Sequence, residues 1–189
     1  MFLIIGLGNI GKDYEHTRHN VGFMVLDSLA KKWRIQLKTM KHSALYGRGV
    51  ATNSEMSEGI VLAKPLTYMN LSGRAVKPLA NAFSVLPNHI IVIHDDVDLI
   101  LGRMKVKVGG SSAGHKGVDS IIDLLSDAFV RIRIGIGRPQ DKKDIPDFVL
   151  SPFTSSELPI IGNMIKLASE AAETIIFKGV EEASRTFNR

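Results

Sequence analysis

Two residues of this chain, His19 and Asp95, have the side chains that base-catalysed hydrolysis needs. An imidazole is the side chain that takes up a proton near neutral pH without a large perturbation, and a carboxylate on its far nitrogen fixes tautomer and orientation. If His19 stands at the start of a helix, the helix dipole disfavours imidazolium while Asp95 favours it, so the base stays near neutrality. Asn9 and Asn70 are the polar residues expected to share its surroundings. All four lie far apart in the chain, so the elements between them must bring them together.

Short apolar runs at 2–5, 60–63, 90–93 and 132–136 read as buried strands of the kind found in parallel sheets. Between them, Val21, Met24, Val25, Leu29 and Trp33 recur at helical spacing, as do Val118, Ile121, Ile122 and Leu125. The alternation predicts an α/β fold over 1–189 as one domain: a twisted, mostly parallel mixed sheet with helices on both faces. Ligands of such sheets bind outside the carboxyl ends of the strands. Asn9 follows the first strand, Asn70 follows the 60–63 strand by a short loop, Asp95 follows the 90–93 strand, and His19 precedes the first helix. One rim should therefore hold all four. Asn20 and Ser72 are placed to cap the first and second helices, and Pro78 to shorten or kink the second. Residues 138–159, with four prolines, read as a long surface connection before a helix over 160–177, a stop at Gly179 and a short tail helix.

Three motifs imitate other chemistries. Gly6-Leu7-Gly8-Asn9-Ile10-Gly11 matches a dinucleotide fingerprint after a strand, but the residues from Lys12 to His19 are polar with no apolar stripe, so no helix faces a pyrophosphate. Glycines that turn the chain sharply off a strand explain it better. Residues 109–117 approach a phosphate-binding loop, but His115 stands where its lysine belongs and no Ser or Thr follows. His94-Asp95-Asp96-Val97-Asp98 offers carboxylates to a hard metal, although acidic residues after a strand more often form turns and caps. No metal and no cofactor are expected.

The 189 residues include no cysteine, which excludes disulfides, thiolate metal sites and a thiol nucleophile. No run of 18 apolar residues offers a membrane span, and the apolar start has neither the basic segment nor the cleavage site of a signal peptide. A cytoplasmic protein without membrane partners is expected. The formal charge of +5 permits a polyanionic partner.

Residues 6–11, Tyr14 and Thr17-Arg18-His19-Asn20-Val21-Gly22 resemble the N-terminal signature of the bacterial peptidyl-tRNA hydrolase family. Residues 64–73, 94–99, 114–117, 133–139 and 148–150 resemble its further motifs in the same order, so the similarity spans nearly the whole chain. The resemblance implies hydrolysis of the ester joining a peptide to the 3′ end of tRNA, with peptidyl-tRNA as partner and a monomeric enzyme. By it, His19 matches the base that activates water and Asp95 its partner. Asn9 and Asn70 match groups that position the peptide and the ester, and Tyr14 and Met69 match residues of the same cleft. One position departs: Lys116 stands where the family usually has an asparagine, bringing a charge and only donors to the substrate. Retention of His19, Asp95, Asn9 and Asn70 favours the enzyme over non-hydrolysing RNA-binding relatives of the same fold.

Arg103, Lys105 and Lys107 alternate with apolar residues, as do Arg131 and Arg133, which predicts two strands with basic faces. The resemblance matches Lys107 and Arg133 to tRNA phosphate contacts. The alternation extends that track to Lys105 and Arg131.

Overall fold

In the computed structural model, which describes residues 1–188, the runs that lack polar alternation lie in the middle of the sheet. Among the described residues, seven strands form one sheet in the order β2 (Thr39–Lys41), β3 (Ala44–Thr52), β4 (Ser57–Pro65), β1 (Phe2–Gly6), β5 (Ile90–Asp96), β7 (Val130–Gly135) and β6 (Met104–Val108). The central strands β4, β1, β5 and β7 are mutually parallel. β2 and β3 extend one side antiparallel, and β6 closes the other.

Successive residues of β1 divide between two cores, which is why the run is apolar throughout. Ile4 packs with α1 (Val21–Lys32), α5 (Leu158–Lys178) and α6 (Val180–Phe187) on one face. Leu3 and Ile5 pack with α2 (Gly73–Ala82) and α3 (Lys116–Leu124) on the other. The predicted mixed sheet with helices on both faces is therefore the observed one. Among the described residues, no helix is long and apolar enough to cross a membrane.

The glycine motif serves close packing. A Cβ on Gly6 would lie 2.4 Å from the Gly22 carbonyl oxygen, and one on Gly22 would lie 2.4 Å from that of Ile93. Both glycines let the start of α1 press onto the end of β1 and the middle of β5, which brings His19 to the sheet's rim. The helix opens only at Val21, after two 3-10 turns, Lys12–Tyr14 and Arg18–Asn20.

Local expectations fail at three points. Neither Asn20 nor Ser72 caps a helix through its side chain. Ser72 has helical backbone angles, and its Oγ donates to the Met69 carbonyl at 2.8 Å. α2 continues through Pro78 to Ala82, so the proline does not shorten it there. The 138–159 segment is more than a connection, for it contains a 3-10 turn, the helix α4 (Ile145–Val149), and the Leu158-Pro159 start of α5. Proline suits a first helical turn, where its missing N–H would have no intrahelical partner.

Candidate active site

Asp95, next to last in β5, is a buried carboxylate, 2% exposed. His19 approaches from the Arg18–Asn20 turn, with its Nδ1 2.8 Å from Asp95 Oδ1. His115 approaches from the start of α3, with its Nε2 3.0 Å from the same oxygen. The other nitrogen of His115 accepts from the backbone N–H groups of Gly117 at 3.2 Å and Val118 at 3.3 Å. A nitrogen that accepts two N–H bonds carries no proton, so neutral His115 is the Nε2–H tautomer and donates to Asp95. His19 donates its Nδ1–H to the same carboxylate, which leaves its Nε2 as the free lone pair of a ring lining the cleft.

Burial opposes the imidazolium form of His19, but the charge of Asp95 and the hydrogen bond to it outweigh that penalty, so His19 titrates above the ordinary imidazole value. The opponent of Asp95 is thus burial rather than a helix dipole, and Asp95 prevails instead of leaving the ring balanced at its ordinary value. Burial alone would push the Asp95 carboxyl up. The two imidazoles facing it hold it well below the usual carboxylate range. Behind them His94 is buried, its Nδ1 2.6 Å from the Asp95 carbonyl oxygen and its ring edge-on to His115 at 4.7 Å. Burial, and then the neighbouring His115, keep it neutral by lowering its pKa well below the ordinary value.

The ligand atoms of His19, Asp95 and His115 lie within 4.8 Å of one another, a spacing that also suits a metal ion. The bonding pattern does not fit one, because the lone pair of His115 is taken by α3 and both rings direct N–H groups at one oxygen. The other carboxylates of the acidic run are engaged too, Asp96 with Arg133 at 2.5 Å and Asp98 with Arg138 at 2.7 Å.

A cleft of about 750 Å³ opens over this centre, and Asn9, His19, Met69, Asn70, Asp95 and Lys116 all line it. Its far wall is apolar, formed by Ile145, Pro146, Val149 and Leu150. Asn9 is held through its backbone: its N–H donates to Asn20 Oδ1 at 2.7 Å, and Asn20 Nδ2 donates to its carbonyl at 2.9 Å. That pair of hydrogen bonds explains why Asn20 does not cap α1.

Residues 3–189 match the family model described as peptidyl-tRNA hydrolase. The chain belongs to the peptidyl-tRNA hydrolase family. It is 44% identical to the peptidyl-tRNA hydrolase of Clostridium novyi (strain NT), covering 100% of this chain and 98% of that protein. It is 46% identical to that of Geobacillus kaustophilus (strain HTA426), with 100% of both chains covered. The crystal structure of the peptidyl-tRNA hydrolase from Acinetobacter baumannii superposes with a TM-score of 0.91 at 34% identity, covering 100% of this chain and 94% of that one.

The residues assigned by resemblance to this hydrolase family separate in space. Met69, Asn70 and Lys116 are at the cleft, whereas the ring of Tyr14 lies against Gly11 and is not part of its lining. Lys105 and Lys107 are exposed on β6, opposite Arg133 and Arg131 of β7. Arg133 spends its Nε on Asp96. The extension of the phosphate track to Arg131 is corrected: that residue is 2% exposed and donates to the carbonyls of Ser111 at 2.7 Å and Gly110 at 3.0 Å. It shares the face of Lys107 but is covered there, because the glycine-rich loop passes over it and offers its carbonyls. His115, His94 and Asn20 were not foreseen as parts of the centre. The signal for His115 was a polar residue between glycines before a helical stripe, where a cap belongs.

Proposed function

We propose that this chain hydrolyses peptidyl-tRNA, with the free Nε2 of His19 as general base for the attacking water. The observation that carries this reading is the 2.8 Å bond from His19 to Asp95 at the floor of the cleft, with His115 bonded to the same oxygen. Nε2 takes a proton as the water oxygen adds to the ester carbonyl. The protonated ring, held by Asp95, then gives the proton to the departing 3′ oxygen of tRNA, releasing the peptide as an acid. Neither a metal nor a covalent intermediate is required. Asn9 and Asn70 present amide donors to the substrate and to the developing oxyanion, a kind of contact that strengthens as charge grows. Met69 packs along the substrate, and Lys116 offers an ammonium to a substrate carbonyl or phosphate.

Lys107, Lys105 and the outer nitrogens of Arg133 bind tRNA phosphates in this reading, supported by their place on one strand pair. In this reading the enzyme works as a monomer, as the family resemblance implies, and the tRNA substrate makes the cytoplasm its working compartment. The test is release of unacylated tRNA from purified peptidyl-tRNA by the wild type and by His19→Ala. A loss of activity in the variant is expected. Equal rates would remove His19 from the mechanism, and no release by either would leave a binding protein of the same fold.

A further inference from the structure

Three consecutive residues of one turn hold three separate segments: Arg18 the 148–157 stretch, His19 Asp95, and Asn20 Asn9. The first of these serves no group of the proposed mechanism, yet it is the most elaborately bonded. Arg18 is 4% exposed. Its fork donates to both oxygens of Glu157, at 3.0 and 2.8 Å, and its Nε to Ser151 Oγ at 3.3 Å. Phe148 and Phe153 lie on its guanidinium at 4.4 and 4.9 Å, and its backbone N–H donates to the Ser151 carbonyl at 3.0 Å.

The segment so held has a second side. Phe148 of α4 packs on Arg18, while Ile145, Pro146 and Val149 of the same helix, with Leu150 after it, line the cleft. A five-residue helix has too few internal bonds to keep its own shape, so its place depends on what it packs against.

We infer that Arg18 is a positioning residue: its bonds to Glu157 and Ser151 tie the apolar α4 wall to the turn carrying His19, setting where the peptide part of the substrate lies over the ester. This rests on the reading of the cleft as the substrate site. Lysine cannot replace the fork, because an ammonium is a point charge that neither grips a carboxylate with two parallel bonds nor lies flat between rings.

The test is steady-state hydrolysis of peptidyl-tRNA by full-length Arg18→Lys, Glu157→Gln and the double variant, below their melting temperatures and across pH. KM is expected to rise about tenfold in Arg18→Lys and by a smaller factor in Glu157→Gln, with kcat changed less. The double variant should be no worse than Arg18→Lys. The pH at which kcat/KM is half-maximal should stay put, because Asp95 still holds His19. Wild-type KM in folded variants, with only a lowered melting temperature, would overturn the inference by making the pair merely structural. A moved pH profile without a change in KM would also overturn it, by placing the effect on His19 rather than the wall. If Arg18→Lys does not fold, the near-isosteric Glu157→Gln carries the test. The base assignment is judged separately: wild-type rates in His19→Ala would end it, while a raised KM in Arg18→Lys would still support the clamp, being read on binding.

Discussion

The cleft floor and the β6–β7 face are both built from charged residues at strand ends or edges, and they use them differently. Around Asp95 each imidazole has a partner within the protein, so charge is concentrated and oriented. On the β6–β7 ladder the four cations divide, with Arg131 and Arg133 turned to internal acceptors and Lys105 and Lys107 left in water. Charge alternation along a strand therefore identifies a face but not its task. The acceptors that neighbouring loops supply decide which cations remain for a ligand.

Substitutions at the two regions should separate sharply. The largest effect belongs to His19→Ala, which should reduce kcat for peptidyl-tRNA by about 10² to 10⁴-fold, the range of general-base catalysis, with little change in tRNA affinity. Comparable loss of binding would merge the two regions.

Asp95→Asn should lower kcat/KM by about 10²-fold and also move its pH profile. In the wild type, hydrolysis should rise with pH through the raised His19 pKa, because only the unprotonated ring accepts a proton. The variant loses the charge that raises this pKa, keeps at most a neutral amide acceptor for the Nδ1–H, and retains the burial that lowers it. Its rising limb should lie at lower pH, and a limb that stays in place would detach Asp95 from His19.

Arg131→Met should act on stability, costing about 2 to 3 kcal/mol in denaturant unfolding, since two loop carbonyls lose charge-assisted donors. The salt dependence of its tRNA binding should match the wild type, and a reduced salt slope would return Arg131 to the phosphate track. Lys107→Ala should do the opposite, leaving stability unchanged and reducing the slope of log K against log salt by about one unit. The smallest change is expected from Lys116→Asn, a shift of about two- to threefold in KM with kcat nearly unchanged, since a solvated charge contributes little. Unchanged constants would leave that lysine without a role in binding.

Much of this site was legible because strands buried on both faces announce themselves as unbroken apolar runs, and a polar residue following such a run falls at the rim. Asn9 and Asp95 were placed by that rule, and His19 by the helical stripe behind it. β2 and β3 carry no comparable signal, since exposed Thr39, Met40 and Lys41 and the glycines at 47 and 49 break any alternation. Asn20 misled because a cap residue and a residue that grips a neighbouring loop look alike in sequence.

Residue types and spacing by themselves determined the doubly covered sheet and the shared rim that brings an imidazole and a carboxylate to one side of it, because each follows from local periodicity and strand direction. Only the tertiary structure decided that His19 meets Asp95, that His115 shares the Asp95 oxygen, that Asn20 grips Asn9, that a loop covers Arg131 and that Arg18 holds the far wall. Those choices depend on which donors and acceptors come within about 3 Å once separate segments are packed, a distance that no pattern along the chain encodes.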